Sequence, residues 1–313
     1  MSSGIALTHT AMYLGAAEDT AAVAKLDTQP VKPQTLAWQG ASLQVAFLSS
    51  VQDGESRLQR IQWLLQQLST RSPVFDGKTP VFLILPELNE LDATLPNFVQ
   101  QVTSAVPSLL VASASRIFPY GSAGALMAFN SAVRYLQQHS EQSVWLVAAD
   151  SAANAERLND IVASGQTDQL LSEGVMAIKL SADAAGYQLL CYETDACMAK
   201  EQASLTVVPY LFSAIAKQLR NTLTQLYLPD CGDSAITAQW LSHYQILRPV
   251  VRLETQLKFP TYSCGELGAC GGLYRLWHAL HHSSATETEF TTALLEISEQ
   301  RYCAMLVLQK AAQ

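Results

Sequence analysis

A short pattern occurs twice in this chain and limits what it can fold into. The first copy runs Phe118-Pro119-Tyr120-Gly121-Ser122-Ala123-Gly124-Ala125-Leu126-Met127-Ala128-Phe129. The second runs Cys264-Gly265-Glu266-Leu267-Gly268-Ala269-Cys270-Gly271-Gly272-Leu273-Tyr274-Arg275-Leu276-Trp277. Each is a turn of small residues that leads straight into an apolar helix. Small residues are needed where a backbone bends sharply and then packs close to another backbone. The start of such a helix also offers unpaired N–H groups and the positive end of its dipole, so it can hold an anion or a nucleophile. Two such starts point to two related halves facing a shared site.

The elements around the turns alternate between two periods. Ile5–Leu14, Ser42–Ser49, Pro80–Pro86, Ser108–Ala114, Ser143–Ala149, Tyr187–Tyr192 and Tyr302–Gln309 read as strands, and Phe290–Ile297 precedes the last of them. Segment 171–180 reads as a loop entering a strand, and 181–186 as a turn of small residues. Residues 54–70 read as a helix, with Leu58, Ile61, Leu64, Leu65 and Leu68 at helical spacing and Asp53 as its N-cap. Leu95–Ala105, Ser122–His139, Ala155–Ala163, Val208–Leu226, Ser234–His243 and the stretch from the second turn to His282 read as further helices. Pro209 fits the first turn of its helix, where no N–H partner is lost. The alternation predicts α/β layers with mainly parallel sheets. The order of elements in 1–195 returns roughly in 196–313, so two halves are expected to pack as one compact unit.

A chain of 313 residues with 49% hydrophobic and 15% charged residues can bury a large core. The net charge of −8 and the lack of any Lys/Arg run argue against sequence-independent nucleic-acid binding. The first residues lack the basic and apolar regions of a signal peptide, and the apolar runs are too short to span a bilayer. A cytoplasmic protein without membrane contact is expected. Cys191, Cys197, Cys231, Cys264, Cys270 and Cys303 form no CxxC pair and do not stand at ligand spacing to the histidines, so neither zinc nor another cofactor is expected. His278 and His282 have metal-ligand spacing, but no carboxylate lies near them in sequence and a solvated helix end is the expectation.

With both turns in hand, the chain resembles the thiolase-like fold, and in particular the β-ketoacyl-[acyl-carrier-protein] synthases. Tyr120-Gly121-Ser122-Ala123-Gly124 is similar to the segment that holds the family's cysteine nucleophile at the start of a buried helix. Val144–Ser151 resembles the family's strand after that helix, and Leu171–Leu180 is similar to its Gly-Glu-Gly-Ala segment before an apolar strand. Gly265-Glu266-Leu267-Gly268-Ala269-Cys270-Gly271 is similar to the family's Gly-His-x-x-Gly-Ala-x-Gly. The resemblance implies a layered α/β fold of two similar halves. It also implies a dimer whose central strands pair across the interface, for which the very apolar Val144–Ala149 is suited.

The departures bear on function. In the family a cysteine thiolate carries the acyl group and two histidines polarise the malonyl thioester. Here Ser122 stands at the cysteine position and Glu266 at the second histidine, or Gly265 if the alignment slips by one. The segment Tyr227–Ser234, where the first histidine is expected, contains none. Glu299-Gln300-Arg301-Tyr302 replaces the Gly-rich loop that helps form the oxyanion hole.

Ser122 is thus either a nucleophile, which needs a base to take its proton, or a helix-start residue with no chemistry. His243 or Asp230 can serve as that base only if the fold brings one close. Glu266 is either an acid or base in a dry pocket or a carboxylate favoured by a helix N-terminus. Cys264 and Cys270 are expected to be packed rather than reactive. The resemblance implies two kinds of function. One is a non-condensing partner subunit, in a homo- or heterodimer with a ketosynthase-like chain, or one that binds an acyl carrier protein or acyl thioester. The other is an acyltransferase in which Ser122 accepts the acyl group and Glu266 assists. A site closed by Tyr274 and Arg275 is a third possibility.

Overall fold

The computed structural model describes residues 4–29, 32–51, 55–72, 75–87, 94–197, 206–230, 234–283 and 290–310. Two sheets enclose two buried helices, and further helices cover both outer faces. The first sheet joins seven strands in the order β2 (Gln34–Trp38), β3 (Ala41–Ala46), β7 (Leu170–Asp183), β6 (Ser143–Ser151), β4 (Val81–Ile84) and β5 (Arg116–Phe118), with β1 (Gly4–Leu14) also paired to β7. β7 is long enough to hold two partners along one edge: β3 in parallel at 170–172 and β1 in antiparallel at 174–183. The second sheet runs β10 (Gln256–Lys258), β9 (Gln225–Tyr227), β11 (Phe290–Ile297), β12 (Tyr302–Lys310) and β8 (Gln188–Ala196).

The central helices are α4 (Ala123–Gln138) and α8 (Ala269–Ser283), which follow the two small-residue turns. Residues 269–280 of α8 are buried on every side, as a helix between two sheets requires. Alternation in the strands explains the layers. On β6, Val144, Leu146 and Ala148 face the central helices, while Trp145, Val147 and Ala149 face outward. On β11 and β12, Leu294, Ala304 and Leu306 face inward, and Ala293, Leu295, Met305 and Val307 face outward. The outer face of the first sheet is covered by α2 (Arg57–Arg71) and α3 (Thr94–Ala105). The outer face of the second is covered by α6 (Val208–Gln218) and Trp240 of α7 (Ser234–Leu241). Two shorter helices, α1 (Thr20–Val23) and α5 (Ala155–Ser164), complete the set described. None of the described helices is long and apolar enough to cross a membrane.

Several sequence expectations are corrected. Segment 108–114 is not a strand. The strand lies at 116–118, where Arg116, Ile117 and Phe118 align with Phe82, Leu83 and Ile84 of β4. The helix expected over 208–226 ends at Gln218, and residues 225–227 form β9. Leu223 and Leu226 bury in the same cluster as Leu211 and Ile215, so one apolar surface produced a helical spacing that crosses a helix end. Residues 170–172 already belong to β7, and that strand reaches Asp183 instead of turning at 181. Asp53 lies outside the described residues; Ser56 caps α2 in a capping box with Gln59. The strand at 187–192 exists, as β8, but it pairs with β12 in the second sheet. Val144–Ala149 is buried because β4 and β7 flank it within the chain, so its apolarity gives no sign of a dimer.

Candidate active site

The two turns found in the sequence meet. Gly272, in the first turn of α8, lies against the backbone of Ser122: a Cβ there would stand 2.2 Å from the Ser122 carbonyl oxygen. Only glycine permits that approach. Ser122 sits at the N-cap of α4 with helical backbone angles and does not cap its own helix. Its hydroxyl instead donates to the Ile297 carbonyl at 3.1 Å, at the end of β11. The capping role falls to Ser298, whose Oγ accepts from the Ala123 N–H at 3.0 Å and donates to the Tyr120 carbonyl at 2.6 Å.

Glu266 stands on the second turn, half-buried, and its Oε1 accepts the Gly268 N–H at 2.6 Å. Its backbone continues the edge of β7, donating to Leu170 and accepting from Ser172. Gly268 has φ +56 and a would-be Cβ 2.1 Å from Asp150 Oδ2, so glycine is required there too. The anion at the start of α8 is Asp150, at the end of β6. Its Oδ2 accepts the Ala269 N–H at 2.7 Å.

Asp150 belongs to a charged wall. Arg57 grips it with two bonds of 2.8 Å and also binds Glu299 at 3.0 and 3.2 Å, and Arg157 approaches Glu299 at 3.7 Å. Burial pushes the Asp150 carboxyl up, against the downward pull of Arg57. On the opposite side, Arg275 holds Glu296 through bonds of 2.6 and 2.5 Å and reaches Thr261 at 3.2 Å. Glu296 is fully buried; burial raises its pKa, while Arg275 and the Ser122 hydroxyl pull it back.

The hairpin after β11 is occupied as well. Glu87 accepts the backbone N–H groups of Gln300 at 2.6 Å and of Arg301 and Tyr302 at 3.0 Å. Burial pushes its pKa up against those three donors. Amides in the stretch that replaces the Gly-rich loop are thereby committed to a side chain of the same protein.

The pocket between these groups encloses about 70 Å³ and is lined by Ser122, Glu266, Asp150, Arg57, Arg275 and Asp230, among others. This is room for a few waters, where a small-molecule site usually has about 300 Å³ or more. Ser122 and Glu266 therefore do line one pocket, and Asp230 joins them. His243 does not, nor does any of the chain's six histidines. Tyr274 is buried and stacks on Trp277 behind the pocket, while Arg275 lines it. Cys264 and Cys270 are fully buried, and burial drives both thiols up. The five described cysteines are free, and Cys231 lies outside the described residues.

The sequence pattern did not single out Asp150, Arg57, Glu296 or Glu87, and it named Arg275 only as a residue that could close the site. A signal was present: Arg275 and Glu296 interrupt very apolar runs, and a charge in such a run must find a partner. The run does not say which partner. His278 is also corrected. It is buried rather than solvated, and the carboxylate missing from its sequence neighbourhood is supplied by Asp27 at 2.8 Å.

No family model matches the sequence, and no curated protein matches it. Solved structures do. The ishigamide ketosynthase/chain length factor superposes with a TM-score of 0.69 at 15% identity, over 98% of this chain and 99% of that one. The ketosynthase from module 6 of the bacillaene synthase from Bacillus subtilis 168 gives 0.71 at 7% identity, over 98% of this chain and 72% of that one. A type II polyketide synthase structure, AntDE:AntF, in which an acyl carrier protein is in complex with its ketosynthase bound to the hexaketide, gives 0.58 at 11% identity, over 99% and 100% of the two chains. The α/β layers are those of the thiolase-like ketosynthase fold.

Proposed function

We propose that this chain is a non-condensing subunit of acyl metabolism of the polyketide or fatty acid type, pairing with a ketosynthase-like chain rather than forming carbon–carbon bonds itself. The observation that carries this reading is the state of Ser122. A serine becomes a nucleophile when a base takes its proton. Here the hydroxyl lies 3.1 Å from the Ile297 carbonyl, which cannot act as a base, and beside Glu296, whose carboxylate is already held by two bonds from Arg275. The carboxylates around it are engaged: Glu296 by Arg275, Asp150 by Arg57, and Glu266 by the Gly268 N–H. No imidazole lines the pocket to polarise a thioester.

The size of the pocket supports the same reading, since about 70 Å³ is well below the volume of a usual small-molecule site. The amides of the 300–302 turn, bound to Glu87, are not aimed at an oxyanion. The choice of partner follows the likenesses: one matched protein is a ketosynthase/chain length factor, and another is a ketosynthase complexed with an acyl carrier protein. A like or unlike ketosynthase-fold chain is the first partner to try, and an acyl carrier protein the second.

Intact-protein mass spectrometry tests the proposal. The chain is incubated with a panel of acyl-CoA and acyl-carrier thioesters, beside Ser122→Ala. The expected result is no adduct on either protein, together with a stable complex when an active ketosynthase-like chain is added. An acyl adduct on the native chain that disappears in Ser122→Ala would establish the acyltransferase reading instead.

A further inference from the structure

A cluster at the far end of α8 from the pocket takes no part in the function proposed above. His278 lies well along the helix, roughly 13 Å from Ala269 at 1.5 Å per residue. It is 5% exposed. Its Nε2 lies 2.8 Å from Asp27 Oδ2, in the segment after α1 and 251 positions away in sequence. Its Nδ1 lies 3.0 Å from the Tyr227 hydroxyl, on β9. His282, one turn further along α8, brings its Nε2 to 3.9 Å from the same Asp27 oxygen. One ligand atom from each of the three residues lies within 4.8 Å of the other two.

A hydrogen bond accounts for the Asp27–His278 contact but not for the rest. His282 is too far from Asp27 to share a proton with it, yet both imidazoles turn toward one carboxylate oxygen. Their rings lie face to face, with centroids 3.9 Å apart. A tetrahedral zinc ion with bonds of about 2.0–2.1 Å spaces its ligand atoms about 3.4 Å apart. The 2.8 Å and 3.9 Å separations from Asp27 bracket that value, and all three ligand atoms lie within 4.8 Å of one another, so side-chain rotations that draw the two imidazoles together would complete a shared site. Two histidines at i and i+4 on one helix face are a recurrent zinc-holding pair.

The surroundings fit a cation. The cluster lies in the last turns of α8, where the carbonyl ends give the negative pole of the helix. Tyr227 supplies the outer contact that fixes a ligating imidazole: with Nε2 on the metal, the Nδ1–H donates to the phenol oxygen. Lys258, whose charge also acts on Asp27, opposes the ion and limits its affinity.

We infer that Asp27, His278 and His282 form a site for a divalent transition metal of the zinc type. The ion is architectural. It ties the segment after α1 to the central helix and, through Tyr227, to the second sheet, and water completes its coordination.

The test uses the full chain, stripped with a chelator and titrated with Zn²⁺ by calorimetry and with Co²⁺ by visible absorption. One equivalent is expected, with the cobalt spectrum of a nitrogen and oxygen ligand set and no thiolate charge-transfer band. Zn²⁺ should raise the thermal midpoint of the native chain. Asp27→Asn and His282→Gln, at the exposed rim, should abolish the one-equivalent binding and the thermal shift while the apo proteins keep the native circular dichroism spectrum. Tyr227→Phe should weaken binding about tenfold or more. The inference is overturned by the lack of one-equivalent binding, by binding that both rim variants retain, or by a thiolate band that places the ion on cysteines instead.

Discussion

Ser122 shows how little a motif says about the state of its central residue. The turn around it fixed its place at a helix start, and the structure brings it to a pocket with Glu266, but its hydroxyl is taken up by the Ile297 carbonyl and by Glu296, itself paired with Arg275. Removing that hydroxyl deletes its hydrogen bonding to the Ile297 carbonyl and to Glu296. Ser122→Ala should lower unfolding stability in urea by about 0.5–1.5 kcal/mol, with no change in complex formation. A base-activated serine would show a lost adduct instead. The cysteines allow a second prediction. Burial raises the thiols of Cys264, Cys270 and Cys303, so they stay protonated at mild alkaline pH. Peptide mapping after iodoacetamide at pH 8 should find these three unmodified in the native protein and alkylated in guanidinium. The linked stability has a definite sign. The folded thiols titrate higher than the unfolded ones at 9.0, so their contribution is complete below pH 9 and is lost as pH rises beyond it. Chemical denaturation followed upward from pH 8 should show that decline.

At the level of elements, the close meeting of α4 and α8 is the feature on which the site rests. Gly272→Ala places a methyl where the Ser122 carbonyl already stands, 2.2 Å away, and that atom is backbone that cannot swing aside. Overpacking of this kind costs about 1–3 kcal/mol, and the displaced helix starts should also disturb the Ser298 cap on Ala123. The denaturation midpoint of Gly272→Ala should fall accordingly, and that of Gly272→Val further; a native-like midpoint for both would mean that the helices can part freely. Both central helices were legible because each comes after a run of small residues and stays apolar for several turns. The missed elements lacked such a signal. β2 is five residues long with no buried position, and β10 is three residues long, so neither shows alternation over enough positions. The apparent continuation of α6 through Leu226 has the opposite cause. Leu223 and Leu226 answer to the same buried surface as the helix, and periodicity records the surface rather than the backbone.

On the scale of the whole molecule, two buried ion pairs link parts of the chain that the sequence keeps far apart. Arg60 of α2 holds Glu173 of β7 through two bonds of 2.8 Å, and Ser151 and the Leu48 N–H bind the same carboxylate. Arg275 of α8 holds Glu296 of β11. Each pair fastens a helix to a sheet, and each charge is nearly or wholly withdrawn from water. Desolvation offsets much of the attraction within such a pair, so its net value is small while the cost of breaking it is large. Arg275→Met leaves Glu296 buried without its countercharge, and Glu296→Leu does the same to Arg275. Either single variant should lose about 3–5 kcal/mol in equilibrium denaturation. The double variant removes both charges, and most of that loss should be recovered. The cycle also separates architecture from function, because the pair lies beside Ser122 in the pocket. If the double variant regains stability and still forms the complex with a ketosynthase-like partner, the pair serves only to join α8 to β11. If it regains stability but loses the complex, the charges themselves are part of what the partner or its acyl carrier recognises, and the pocket is a contact surface rather than a closed remnant.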